Sequence, residues 1–302
     1  MANNNVTYRL TGGGQVTVFI TQSLGFASAE WWPIQDELGG HARVVTWDRP
    51  GYGESGPPLS PRTVGNVAAE ALELLARVAP DGPLVLVGHS QGGLYSNAVA
   101  RLAGDRVVGV VLLDPAHPDN SRLRRELPAK LFRDSGSDLS GRMRRGRTMA
   151  RLRLMGALKP LLTRQVPFMY CSHHSREALD AMWRHLKRPG AYDAALAEYE
   201  ELEYRTSSAA VDALGPFPRV PLAVLVHDPA VMIEFFMRYG RLPRTGGERV
   251  EALWGELVRD HRRLSPMAQV ETVVSSGHLI HLEQPRLTVS RIVETIDSRP
   301  AC

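Results

Sequence analysis

The sequence predicts an α/β protein whose mostly parallel sheet is flanked by helices. Three observations carry that reading. Short β-branched runs alternate with stretches of helical periodicity through the first third of the chain. One run, Val107–Leu113 (Val-Val-Gly-Val-Val-Leu-Leu), is apolar almost throughout, as in a strand covered on both faces. The alternation stops near His117 and resumes near Pro221, so a long helical stretch interrupts the α/β pattern.

Taken in order, Thr7–Leu10, Val16–Thr21 and Ala42–Trp47 read as strands, with Thr11-Gly12-Gly13-Gly14 as a turn. Val64–Val78 carries apolar residues at helical spacing (Val67, Ala71, Leu74, Leu75, Val78). Pro83–Val87 reads as a strand, Gly92–Leu102 as a helix and Val107–Leu113 as the next strand. Arg176–Lys187 and Ala191–Arg205 look helical, and no strand is expected between His117 and Pro218. A strand at Pro221–Val226, a helix over Arg249–Leu264, a strand at Gln269–Val274 and a helix over Pro285–Ile296 complete the pattern. The expected division is a core of 1–116 and 219–302 with a helical cap, 117–218, inserted before the last two strands. Such a cap would sit over the carboxyl edge of the sheet, where open α/β sheets bind ligands.

The composition suits one large domain or a domain with an insertion: 302 residues, 43% hydrophobic and 23% charged. No apolar run approaches the ~20 residues of a membrane span. The start, Met1-Ala2-Asn3-Asn4-Asn5, lacks the basic and apolar regions of a secretory signal, and cytoplasmic residence is expected. Two cysteines, Cys171 and Cys302, make a disulfide framework improbable. No Cys/His cluster has zinc-like spacing, and Cys171 beside His173-His174 does not match a standard site, so no metal or cofactor is expected. Net charge is +4, yet Arg122–Arg153 holds eleven Lys/Arg against Glu126, Asp134 and Asp138. That segment reads as a solvated helical face or as a surface for an acidic carrier protein or another anionic partner. No motif points to nucleic acid.

The stretch with most chemistry is Leu84-Val85-Leu86-Val87-Gly88-His89-Ser90-Gln91-Gly92-Gly93-Leu94. A buried strand runs into Gly-x-Ser-x-Gly and a helix follows at once. A nucleophilic serine needs this shape, because a sharp turn projects Oγ from the sheet edge. Small residues two before and two after let strand and helix approach. The helix N-terminus then faces the developing negative charge. Ser90 is therefore the expected nucleophile.

Gly88–Gly93 resembles the nucleophile elbow of the α/β-hydrolase superfamily. Asp48-Arg49-Pro50-Gly51-Tyr52-Gly53-Glu54-Ser55 resembles that superfamily's Asp-x-x-Gly-x-Gly-x-Ser turn. Gly277-His278 before Leu282-Glu283-Gln284-Pro285 resembles its histidine loop. The resemblance runs from about Tyr8 to Ile296, apart from the cap, and implies a serine hydrolase of esters or thioesters without a cofactor. It implies His278 as the base, because the family places the base directly after Gly, with His281 as the competitor. The acid is expected at Asp114, where some relatives carry it, or at Asp228, near the usual position. The backbone N–H of Gln91 is the expected first oxyanion donor. The second would be Ser23 N–H, although Thr21-Gln22 stands where relatives carry His-Gly. That departure keeps open an acyltransferase or cyclase, or a non-hydrolytic lyase or binding protein. His89 is expected to pack near the elbow and His117 to line the pocket. Met155, Leu158, Phe168, Met169, Tyr170 and Trp183 are candidates for an apolar lining or for plain core.

Overall fold

The computed structural model describes residues 5–162 and 174–298. Seven strands form one sheet in the order β1-β3-β2-β4-β5-β6-β7. They are β1 (Tyr8–Thr11), β2 (Thr17–Thr21), β3 (Arg43–Trp47), β4 (Leu84–His89), β5 (Val107–Leu113), β6 (Leu222–Val226) and β7 (Ala268–Thr272). Only β1 runs antiparallel, against β3, and every other pairing is parallel.

Helices α1 (Trp32–Leu38), α2 (Val64–Val78) and α3 (Gln91–Ala103) cross between the early strands. Between β5 and β6 the described residues hold α4 (Ser121–Glu126), α5 (Ala129–Asp134), α6 (Ser140–Arg151), α7 (Met155–Leu162), α8 (Arg176–Leu186), α9 (Pro189–Tyr204) and α10 (Ser208–Asp212). No strand occurs among them. Beyond β6 come α11 (Pro229–Tyr239), α12 (Arg244–Asp260), α13 (Ile280–Glu283) and α14 (Pro285–Asp297).

The sheet is buried on both faces because its strands alternate between two cores. Leu84 and Leu86 face one side with Phe19, Trp47, Val110 and Val224, against α2 and α3. Val85 and Val87 face the other with Val18, Ile20, Val111 and Leu225, against α1 and α14. Fully apolar β4 and β5 follow directly from this two-sided burial.

Two expectations shift. The helix read at Arg249–Leu264 begins at Arg244, ends at Asp260 and gives way to a 3-10 turn over His261–Arg263. The sequence reading places no helix at α11. Its sequence, Pro-Ala-Val-Met-Ile-Glu-Phe-Phe-Met-Arg-Tyr, is apolar nearly all round, and only Phe236 is buried, so no amphipathic period marks it. Phe236 packs with Leu123, Phe132, Leu253 and Leu257, joining α11 and α12 to the helices inserted after β5.

Candidate active site

Strand register builds the site. His89 pairs with Leu113, and Leu113 with Leu225, so Ser90, Asp114 and the end of β6 stand side by side at the carboxyl edge. Ser90 has φ 54° and ψ −123°, a left-handed turn that a non-glycine residue adopts only under constraint. The constraint is visible. Ser90 N–H donates to Leu113 O, and Ser90 O accepts from Gly93 N–H and Ala116 N–H, each at 2.9 Å. Gly92 cannot be larger, because a Cβ there would lie 2.1 Å from Thr21 O.

His278 follows β7 and points Nε2 at Ser90 Oγ, 3.1 Å away. Its Nδ1–H donates to Asp114 Oδ2. Asp114 is the residue after β5, itself at φ 43°, and is buried completely. Of the two candidate acids, Asp114 is the one that meets His278. Asp228 lies elsewhere: its side chain caps α11 by accepting from Ala230 N–H at 2.9 Å and accepts from Ser275 N–H at 3.0 Å.

Asp114 is held from three sides, and two of these partners escaped sequence reasoning. His227 Nδ1–H donates to Asp114 Oδ2 at 2.7 Å, and His227 Nε2–H donates to Glu251 Oε2 at 2.8 Å. Trp254 Nε1–H donates to Asp114 Oδ1 at 3.2 Å. Burial alone would lower the His227 value, but the adjacent Asp114 and then Glu251 outweigh it and raise the imidazole to about 10. The ring is therefore a buried cation at neutral pH. The reciprocal effect holds Asp114 well below the ordinary carboxylate range despite its desolvation. His227 immediately precedes Asp228 in sequence. The only signal that could have found it was its place at a strand end.

Gln91 is the first residue of α3, where a backbone N–H has no intrahelical acceptor. Its side chain donates to Tyr95 Oη and to Glu198 O. The loop with Ser23 is clamped by Arg49 of the Asp-Arg-Pro-Gly turn. Arg49 Nη1 donates to Gln22 O at 2.7 Å, and Nη2 to Ser23 O at 3.0 Å. Arg49 also pairs with Glu198 of α9, which accepts from Arg62 and Tyr52 as well. The guanidinium thus holds the loop that carries Ser23 through two of its backbone carbonyls. The Ser23 amide is also among the groups that face Glu30.

The other sequence candidates separate. His89 packs at the elbow, its ring 4.9 Å from that of His278 and 4.6 Å from that of His281. His281 is buried and stacked on Trp31 at 4.3 Å, away from Ser90 Oγ. His117 faces a different space among the described residues. It bonds Asp260 at 3.0 Å and borders a cavity of about 320 Å³ beside Asn97 and Arg101 of α3, whose walls include neither Ser90 nor His278. Met155 and Trp183 are buried. The side chain of Leu158, and Phe168, Met169, Tyr170, Cys171, His173 and Cys302, lie outside the described residues. The basic run of Arg122–Arg153 is spread over ion pairs. Arg122 meets Glu126 and Glu256, Arg144 meets Glu200, and Arg147 and Arg151 share Asp193.

With this geometry in place, comparison with known proteins decides the family. The alpha/beta hydrolase family matches residues 14–291. The chain belongs to it. This α/β hydrolase is similar to the enol-lactonase of Burkholderia xenovorans, at a TM-score of 0.62 and 17% identity over 98% of this chain and 97% of that one. It is equally similar to a thermophilic esterase of Thermogutta terrifontis, at 0.62 and 22% over 97% and 93%. Both likenesses speak to fold. In sequence, the α/β hydrolase is 41% identical to the lipase LipV of Mycobacterium tuberculosis over 89 residues, 29% of this chain and 33% of that protein. The chain spans less than half the length of the curated relatives it matches.

Proposed function

We propose that this α/β hydrolase cleaves an ester or thioester through an acyl-enzyme on Ser90. The observation that carries the reading is the continuous chain Ser90 Oγ, His278 Nε2, His278 Nδ1, Asp114 Oδ2. Ser90 Oγ attacks the substrate carbonyl carbon as its proton passes to His278 Nε2. The N–H of Gln91 meets the tetrahedral oxygen, with the N–H of Ser23, which also faces Glu30, as the second donor. Collapse expels the alcohol or thiol, which takes the proton back from His278. Water, deprotonated by the same imidazole, then attacks the acyl-enzyme and regenerates Ser90. Asp114 keeps Nδ1 protonated and offsets the charge that forms on the ring. Residues 117–218 act as the cap of this site, with 1–116 and 219–302 as its core.

A fluorophosphonate probe tests the nucleophile. The native protein is expected to label, and Ser90→Ala to lose the label while its circular dichroism is unchanged. A native protein that stays unlabelled sinks the reading. Mass analysis of the products of an aryl ester, with and without an added alcohol, separates hydrolysis from acyl transfer.

A further inference from the structure

We propose that Glu30, His89 and His281 form a site for one divalent transition-metal ion of the zinc class, with His174 as a fourth donor. This site lies outside the proposed catalytic chain and does not depend on Ser90 being a nucleophile. Glu30 lies on the 3-10 turn Ser28–Trp31, His89 closes β4 and His281 lies on α13. One donor atom of each falls within 4.8 Å of the others, and His281 Nε2 is 3.6 Å from Glu30 Oε2. All three side chains are buried.

What distinguishes the cluster is its unpaired atoms. The Glu30 carboxylate is faced by the Ser23 amide and the Trp31 indole N–H, but among the described residues neither ring nitrogen of His281 has a hydrogen-bond partner, and the same is true of His89 Nδ1 and His174 Nδ1. Buried polar groups are nearly always paired with protein, water or an ion, so four ring nitrogens at one place, beside a buried carboxylate, call for an occupant. Two of the nitrogens are already set as lone pairs. His89 Nε2–H donates to His278 O at 2.8 Å, and His174 Nε2–H donates to Glu30 O at 3.0 Å. A carbonyl only accepts, so each ring keeps its proton on Nε2 and leaves Nδ1 free. Metal-binding histidines are held in the same way, through the second nitrogen to a carbonyl or carboxylate.

The electrostatics agree. Burial, reinforced by neighbouring histidines, pushes His89 and His281 well below the ordinary imidazole range, into the neutral form that binds metal. Burial likewise pushes Glu30 up to about 8, only partly offset by His174, the Ser23 amide, the Trp31 indole and Arg49, and a cation would reverse that cost. A cavity of about 10 Å³ is bordered by Glu30, His174 and His281, between Pro33, Ile34 and Leu282, with His89 behind its wall and not on it, and it has room for about one small ion or water. Tetrahedral zinc places its donors roughly 3.4 Å apart, so closure from the observed spacing needs side-chain shifts of about 1 Å. The set of two imidazoles and a carboxylate, with a third imidazole beside it, suits zinc-class ions and not calcium or magnesium. By contrast, Asp114, His227 and His278 also cluster, but their donors are committed to one another. An ion at Glu30 would tie the loop after β2 to the elbow and to the histidine loop.

The test uses the full chain, untagged and stripped by chelator, with Zn²⁺ in calorimetry and metal analysis and with Co²⁺ as the optical probe. One equivalent of Zn²⁺ is expected, with a higher Tm, and a four-coordinate Co²⁺ spectrum lacking a thiolate charge-transfer band. Glu30→Gln and His281→Gln should each weaken uptake at least about tenfold. His174→Ala, at the partly exposed position, should weaken it less, and Ser90→Ala should leave it unchanged. Failure of the wild-type protein to take up stoichiometric metal overturns the proposal and assigns the cavity to water. A thiolate band, or undiminished binding by Glu30→Gln, overturns it as well by placing the metal elsewhere.

Discussion

Asp114 and Asp228 look alike in sequence, each at a strand end and each followed by proline, yet they do different work. Asp114 accepts from His278, whereas Asp228 holds the start of α11 and the loop before His278. Asp114→Asn should lower kcat on an aryl ester by about 10³–10⁴-fold, as loss of the orienting acid does in serine hydrolase triads. Asp228→Asn should lower it by less than about tenfold, since one N-cap is worth only ~1 kcal/mol. Steady-state kinetics of the two variants decides, and equal losses would refute the assignment.

His227 adds a pH dependence. Its folded value, about 10, lies above the ordinary imidazole value. A raised basic group stabilises the fold fully below its unfolded pKa of roughly 6.5 and loses that contribution as pH rises toward 10. Between those limits stability should fall by no more than about 1.4 kcal/mol per pH unit from this proton. Denaturant titrations across that range should show the slope in the wild type and a flatter profile in His227→Gln.

At the scale of elements, the elbow is a packing problem as much as a chemical one. Helix α3 can start directly after Ser90 only because Gly88 and Gly92 let it lie against β2 and β4. A Cβ at Gly88 would sit 2.4 Å from Gly92 O, and one at Gly92 would sit 2.1 Å from Thr21 O. Gly92→Ala should therefore cost at least about 2 kcal/mol and displace the Thr21–Ser23 loop, abolishing fluorophosphonate labelling. Labelling at the wild-type rate in a stable variant would show that the loop can yield. These contacts were readable from the motif Gly-x-Ser-x-Gly, whose spacing encodes them. Helix α11 was not readable, because it buries one side chain and so leaves no period in the sequence.

Across the whole molecule, one ionic network fastens the inserted helices to the core. Glu198 of α9 meets Arg49 at 3.0 Å and Arg62 at 3.0 Å and accepts from Tyr52 at 2.9 Å, and Arg62 continues to Glu70. All these charges are buried. Such a network is weak evidence of net stability, but removing one member strands the others. Glu198→Gln should destabilise by about 3–5 kcal/mol and raise proteolytic sensitivity of the inserted helices, read by denaturant melts and limited proteolysis. A cost under about 1 kcal/mol would mean that the insertion docks through its apolar contacts alone, such as Leu24 and Tyr52 with Met143, Leu196 and Tyr199.

The sequence by itself determined what rests on local rules: the strand-and-helix alternation, the place of the helical insertion, the elbow at Ser90 and the histidine loop at His278. Each leaves a periodic or motif signal within a few residues. The contact of His278 with Asp114 and not with Asp228, the buried pairing of His227 with Asp114 and Glu251, and the meeting of Glu30, His89 and His281 were decided by tertiary structure. Those residues are joined by the register of β4, β5, β6 and β7 and by the packing of the 3-10 turn against α13. A register shift of one residue would reverse which side chains face each other, and no local pattern in the chain records it.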